Sequence, residues 1–190
     1  MIEIVPYRAQ WPARFAEIAV RLRAAVPTGI AAIHHIGSTA VPGLAAKDII
    51  DVQITVSDLD VAPPLEAAGF LRTPHTTDHC PPGLAVPPEQ LRKRLYKLES
   101  PAANIHVRQA GRFNQRYPLL CRDYLRAHRA AADAYGAIKQ NLARIVGSDV
   151  EAYYDVKDPV FDLLMAGAED WAAATAWSLP PSDGSVAPTT

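Results

Sequence analysis

Cysteine is scarce in this chain: Cys80 and Cys121 are the only two among 190 residues, and they lie far apart. A small secreted fold stapled by several disulfides is therefore excluded, although one bridge stays open. Long apolar runs are missing too. The longest fall well short of the ~18 residues that a membrane-spanning helix needs, so none is expected. The first residues, Met1-Ile2-Glu3-Ile4-Val5-Pro6, have no basic stretch leading into an apolar core and do not read as a secretory signal. A cytoplasmic location is the expectation. What is abundant is apolar content, 49% of residues, enough for one globular domain with a sizeable core.

Net charge is −1, but the charge is segregated. Residues 1–91 carry 6 Lys/Arg against 9 Asp/Glu, residues 92–129 carry 10 against 2, and residues 130–190 carry 3 against 9. The basic stretch reads in two ways: a patch for an anion such as a nucleotide, phosphate or nucleic acid, or a solvated face paired with the acidic last third.

Trp11, Phe15, Ile18, Leu22 and Val26 repeat at helical spacing and predict an amphipathic helix over Tyr7 to Val26, with Pro12 suited to its first turn. Ile30 to Ile36 predicts a strand, or a helix end followed by a strand, broken by Gly37-Ser38-Thr39 and followed by the turn signal Val41-Pro42-Gly43-Leu44. Ile49 to Val56 alternates cleanly: Ile50, Val52, Ile54 and Val56 point one way, Asp51, Gln53 and Thr55 the other. Ser57-Asp58 predicts the cap of a helix running through Val61 to Ala68, with Gly69 as its stop and Phe70-Leu71 as a short edge strand. Residues 74–90, with five prolines, predict a long loop. Leu91 to Leu98 and Asn104 to Gln109 predict a hairpin, with a helix as the alternative over 89–98. From Phe113 the pattern is helical. Phe113, Tyr117, Leu120, Tyr124 and Leu125 form one stripe; Ala131, Tyr135, Ile138, Leu142 and Ile145 form another. Gly147-Ser148-Asp149 is a stop and a cap, Val150 to Val156 a short helix, and Pro159 the opening of a last helix ending near Trp177. The expected organisation is one α+β domain over 1–178, with a helical lobe over about 113–178 and a disordered tail over 179–190.

The residues for chemistry cluster around the first two strands. The turn Gly37-Ser38-Thr39 offers backbone N–H groups and two hydroxyls, and glycine lets a phosphate approach the backbone. An ordinary turn would look the same. Asp51 and Gln53 share one strand face. Two carboxylates at that spacing could grip Mg²⁺, but Gln53 offers a carbonyl without charge; Asp51 could instead simply hydrogen-bond the neighbouring turn. His75, His79 and Cys80 have spacing that could bind zinc on a helix, but they sit in a proline-rich loop. Cys121 falls on an apolar stripe and reads as core.

Several stretches together resemble the GrpB family, also called UPF0157: His35-Ile36-Gly37-Ser38-Thr39-Ala40-Val41-Pro42-Gly43-Leu44-Ala45-Ala46-Lys47, then Ile49-Ile50-Asp51-Val52. Further on come Ile105-His106-Val107, Cys121 through His128, Tyr135 with Lys139, and Tyr153 with Lys157. The resemblance runs from about residue 3 to 165. It implies a minimal nucleotidyltransferase-like fold: a small mixed β-sheet flanked by helices, with a helical C-terminal extension. In that superfamily a Gly-Ser turn precedes an Asp-x-Asp/Glu strand, and a later strand supplies a third acid. Gly37-Ser38 and Asp51-x-Gln53 match that layout, with His106 in the third place. This implies catalytic roles for Asp51, Gln53 and His106, with Asp51 holding Mg²⁺ or Mn²⁺. His34 stands where the family often has an acid. His35 belongs to the motif, either orienting Asp51 or the turn, or simply buried.

A nucleotide or other phosphorylated small molecule is then the expected ligand. Gly37, Ser38 and Thr39 would hold phosphate, with Lys47, Arg92, Arg94, Arg108, Lys139, Tyr153 and Lys157 as candidate partners. Solvent exposure is the competing reading for each lysine and arginine. Nucleotidyl transfer to an unknown acceptor is the sharper form. The alternative is a non-catalytic accessory domain, since members of the family occur fused to dephospho-coenzyme A kinase. RNA binding through 92–129 ranks last, because that stretch lacks interleaved aromatics in a stacking pattern.

Overall fold

In a computed structural model that describes residues 1–60 and 65–183, the alternating run Ile50–Val56 becomes strand β2, next to one edge of a five-stranded sheet. The other strands are β1 (Ile30–Ile36), β3 (Leu71–Arg72), β4 (Arg94–Leu98) and β5 (Ala103–Gln109), in the spatial order β1-β2-β5-β4-β3. β2 and β5 run parallel; the remaining pairs are antiparallel. The mixed sheet and the helices beside it match the expected α+β architecture.

The apolar face of β2 meets helix α1 (Trp11–Ala25), whose Trp11, Phe15, Ile18 and Leu22 are buried with Val52, Ile54, Ile105 and Tyr96 in one core. Pro12 lies in the first turn of α1, where its missing N–H costs nothing. That turn is fastened to the sheet by Asp48, which accepts from Trp11 Nε1 at 2.6 Å and Arg14 at 2.8 Å, and also pairs with Arg8.

Three helices form the lobe on the other side: α2 (Phe113–Ala127), α3 (Arg129–Val146) and α4 (Val150–Thr175). Leu120, Cys121, Leu125, Tyr135, Met165 and Ala168 build a second core with Val41 and Leu44 of the segment after the Gly37 turn. Asp149 caps α4 by accepting from Ala152 N at 3.0 Å, as the sequence predicted.

Several expectations are corrected. Pro159 does not open a new helix; α4 runs through it for 26 residues, because packing of Met165, Ala168 and Ala172 on α2 and α3 outweighs the lost backbone bond. The α3 stripe is turned: Ile138 and Ile145 are exposed, while Ala132, Tyr135, Gly136, Lys139 and Leu142 face inward. Over 88–98 the chain forms a 3₁₀ turn, Pro88–Leu91, and then strand β4, so each rival reading held part of it. Of the helix expected over Val61 to Ala68, residues 61–64 lie outside the described residues, and Glu66–Ala68 is a single 3₁₀ turn. The tail was expected to be disordered from 179. Pro180 to Asp183 instead hydrogen-bond along β1, and residues 184–190 lie outside the described residues.

Candidate functional site

The polar face of β2 looks across a cleft of about 880 Å³ toward the helical lobe. Strand register explains what lines it. β2 and β5 run parallel with Asp51 beside Asn104, Gln53 beside His106 and Thr55 beside Arg108, so their polar residues form two adjacent rows. β1 ends at Ile36, opposite Asp51, and its chain then turns through Gly37 into Ser38 and Thr39. Gly37 has φ +69°, and a Cβ there would fall 2.5 Å from Asp51 Oδ2. The glycine therefore serves two needs: a left-handed backbone, and room for the Asp51 carboxylate to lie against the turn.

Asp51 accepts from Asn104 Nδ2 at 2.9 Å and has His106 Nε2 at 3.7 Å. Burial raises its carboxyl pKa, but the His106 and Asn104 partners outweigh that and hold it below its ordinary value. It is the ionised acid of this end of the cleft. Gln53 is different. Its Oε1 accepts from Arg108 at 2.8 Å and its Nε2 donates to the Gln115 carbonyl at 2.8 Å, so the amide ties the sheet to α2 and offers nothing to a cation.

His106 is equally committed. Arg108 Nη2 lies 3.2 Å from its Nδ1, and a guanidinium only donates, so Nδ1 holds the lone pair and Nε2 carries the proton toward Asp51. Burial and the Arg108 charge lower its pKa, with Asp51 acting in opposition. A neutral imidazole with its lone pair occupied is not placed to act as a base.

Arg108 also reaches Asp78 at 2.9 and 3.0 Å. Asp78 additionally pairs with Lys93 at 2.5 Å and accepts from Asn114 at 3.0 Å. Burial works against this carboxylate, but Arg108 and Lys93 drive its pKa far below the usual range. A second acid therefore does enter the cleft, from the loop over 74–90 and not from a strand. It is spent on neutralising Arg108 and Lys93.

The opposite wall is made by Lys139. Its Nζ donates to Ser38 Oγ at 2.7 Å and to the Ala45 carbonyl at 2.6 Å, and lies 4.6 Å from the Tyr135 ring centre. The residue is 3% exposed, and among the described residues no carboxylate forms an ion pair with it. Burial first, and nearby Lys157 second, push its pKa down to about 7. Next along the wall come Lys47 and Lys157. Lys47 lies 4.6 Å from both the Tyr153 and Tyr154 rings and donates to Tyr154 OH at 3.3 Å; Lys157 pairs with Asp158 at 2.8 Å. Tyr153 is buried, and burial raises its pKa to about 12.

The predicted residues thus divide. Gly37, Ser38, Thr39, Lys47, Asp51, His106, Arg108, Lys139, Tyr153 and Lys157 all line the cleft. Arg92 and Arg94 do not; they turn outward to Asp60. Thr39 is buried with its hydroxyl 3.0 Å from His35 Nε2. His35 stacks on Phe15, ring centres 4.8 Å apart, and burial lowers its pKa to about 4, so it is a neutral post behind the turn. The zinc reading fails as well. His79 pairs with Asp162 at 3.1 Å, and no metal-holding group of three His, Cys, Asp or Glu occurs among the described residues.

Sequence reasoning missed Asp78, Lys93 and Asn104. The Asn104-His106-Arg108 alternation could have flagged Asn104 as the neighbour of Asp51. Asp78 sits in a stretch with no period and left no such signal.

The charge segregation resolves largely as internal pairing: Arg116 with Glu169, Arg122 with Asp123 and Asp183, and Arg92 with Asp60. No helix among the described residues is long and apolar enough to cross a membrane.

Comparison with known proteins gives this cleft its context. The family described as "GrpB protein" matches residues 1–166. A protein named dephospho-CoA kinase in Mycolicibacterium paratuberculosis is 35% identical over 93% of this chain and 48% of its own length. The chain thus spans about half the length of that relative. A UPF0157 protein of Halalkalibacterium halodurans is 30% identical over 88% of this chain and 82% of its own. The crystal structure of conserved protein GrpB from Enterococcus faecalis superposes with a TM-score of 0.70 at 26% identity, covering 89% of this chain and 99% of that one. By the family match and by these relatives, the chain belongs to the GrpB family.

Proposed function

We propose that this GrpB-family chain binds a phosphorylated small molecule, foremost a nucleotide, in the cleft between Ser38 and the helical lobe. One observation carries the reading: a nearly fully buried lysine, Lys139, faces the cleft against Ser38 Oγ with neutral partners only. Burying an ammonium without a counter-charge is costly. A ligand phosphate supplies the missing charge, and Lys47 and Lys157 on the same wall extend the positive field.

Nucleotidyl transfer is the weaker form of the proposal. The donor set does not suit a two-cation centre: Asp51 is one carboxylate, Gln53 gives its carbonyl to Arg108, and His106 gives its lone pair to the same side chain. Mg²⁺ or Mn²⁺ fits only as a single ion arriving with the phosphates and touching Asp51. A binding or accessory role, as a domain beside another activity, accords better with these residues. The half-length match to proteins named dephospho-CoA kinase favours it further.

The test is titration of the purified chain with ATP, GTP, CTP and UTP, with and without Mg²⁺. Binding that is lost in Lys139→Met and Ser38→Ala supports the reading; absence of binding at millimolar nucleotide removes it. Labelled nucleotide transferred to an acceptor would promote the catalytic form.

A further inference from the structure

Strand β1 lies at a sheet edge, so the backbone groups of Ile33 and His35 that face away from β2 need partners. The segment after α4 supplies them. Ile33 N donates to Ser182 Oγ at 2.9 Å, and Asp183 N donates to Ile33 O at 2.9 Å. His35 N donates to Asp183 Oδ2 at 2.8 Å. His35 O accepts from Arg122 at 3.0 Å, and the same Arg122 nitrogen reaches Asp183 Oδ2 at 3.1 Å. The His34 ring adds contacts from Nε2 to the carbonyls of Pro180 and Pro181, each at 3.2 Å. Arg23 of α1 holds the Asp183 carbonyl at 3.0 Å.

These contacts converge on His35, and His35 is where the phosphate turn is held. Its ring is clamped between Phe15 and the Thr39 hydroxyl, and Gly37 follows two residues later. Asp183 also faces the buried Arg122, whose other carboxylate partner is Asp123 on its own helix. One carboxylate thus joins the outer edge of β1 to α2 at the point where the chain bends into Ser38. Residues 180–183 lie beyond the 1–166 that match the family.

We infer that Pro180–Asp183 is a strap that controls the Gly37–Thr39 turn, with Asp183 as a positioning residue for the ligand site. The effect on ligand affinity rests on the phosphate-binding reading above; the effect on the turn does not. Without Asp183, His35 N loses its acceptor and Arg122 loses one of its two carboxylate partners, so its remaining tie to β1 is the hydrogen bond to the His35 carbonyl. The turn that orients Ser38 toward Lys139 then loosens.

The experiment uses full-length Asp183→Ala and Asp183→Asn, each checked for native circular dichroism. It follows amide exchange and amide chemical shifts without ligand, and then ATP affinity. The strap predicts exchange faster by about tenfold at His35 and displaced shifts through Gly37, Ser38 and Thr39 in Asp183→Ala. Asn keeps an acceptor oxygen and should restore most of this. Exchange in β4 and β5 should stay unchanged. A change at His35 alone, with Gly37–Thr39 unmoved, overturns the inference, as does a uniform change over the whole chain. Displaced turn shifts without any ATP binding in the wild type would uphold the strap and remove the phosphate reading instead.

Discussion

Arg108 Nη2 points at His106 Nδ1 from 3.2 Å, and this contact fixes which imidazole nitrogen carries the proton. The Nε2–H tautomer follows, facing Asp51. Burial and the neighbouring guanidinium lower the ring's pKa, with Asp51 acting in opposition. Long-range ¹H–¹⁵N spectra should show His106 as the Nε2–H form, with any titration midpoint below that of an ordinary histidine. An Nδ1–H tautomer, or a midpoint near 7, would restore His106 as a candidate base.

Gly37→Ala should be damaging twice over. The residue sits at φ +69°, and the new Cβ would meet Asp51 Oδ2 at 2.5 Å. Strain plus overpacking predicts a loss of about 2–4 kcal/mol, measured by denaturant unfolding. Phosphate affinity should fall as well, because Asp51 must move. An unchanged midpoint would mean that the turn is not packed as described.

Asp78 neutralises one buried cation, Arg108, and one half-buried cation, Lys93, so removing it leaves both without their counter-charge. Asp78→Ala should cost about 3–5 kcal/mol. The acid response has a definite sign. The folded pKa of Asp78 lies far below its unfolded value, so its stabilisation is present above about pH 4 and is lost as pH falls below that toward the folded pKa. The wild type should therefore lose stability on acidification below pH ~4 more steeply than Asp78→Asn does.

The alternation of Ile50 to Val56 and the spacing of Trp11, Phe15, Ile18 and Leu22 made the sheet and its backing helix readable from sequence. Each is a local period imposed by one buried face. The Gly37-Ser38 turn and Asp51 were readable for a related reason: they break that pattern with polar groups at a strand end. What stayed hidden depends on contacts far apart in sequence. Pro159 looked like a helix start because its cost is local, whereas the packing that overrides it comes from α2 and α3. Gln53 and Arg108 looked like ligands for an ion and a phosphate. Their hydrogen bonds to each other, to Gln115 and to Asp78 spend them on structure, and nothing in their spacing announces that. Lys139 stood in the sequence as one candidate cation among several; only burial distinguishes it from exposed Arg92.

Lys139→Met tests a trade between stability and binding. Replacing a buried amine that forms no ion pair with an apolar chain should raise stability by ~1–4 kcal/mol at pH 7 while abolishing phosphate binding. The folded pKa of about 7 lies below the unfolded value near ~10.4. The unfolded chain therefore binds the extra proton between those values, and the lysine's penalty on stability shrinks as pH rises through that window; below 7 it is constant. The methionine variant should lack this slope. A destabilised variant would show that Lys139 is held by interactions stronger than those at Ser38 and Ala45.

Proton linkage should also appear in binding. An anion next to the Lys139 ammonium raises its pKa, so ligand and proton enter together. Affinity should be greatest below pH 7 and decline above it, by at most about tenfold per unit. Calorimetry in buffers of different ionisation enthalpy would report the uptake directly. Zero uptake at pH 7.5 would contradict the linkage.

The most direct measurement is the ¹³Cε resonance of Lys139 in lysine-labelled protein, assigned through Lys139→Met and followed against pH with and without ATP. The account predicts a midpoint near 7 in the free chain, moved upward by at least ~1 unit by millimolar ATP, with the shift diminished in Ser38→Ala. A midpoint unmoved by ATP, in a protein whose Lys139 titrates near 7, would contradict the placement of a phosphate between Ser38 and Lys139.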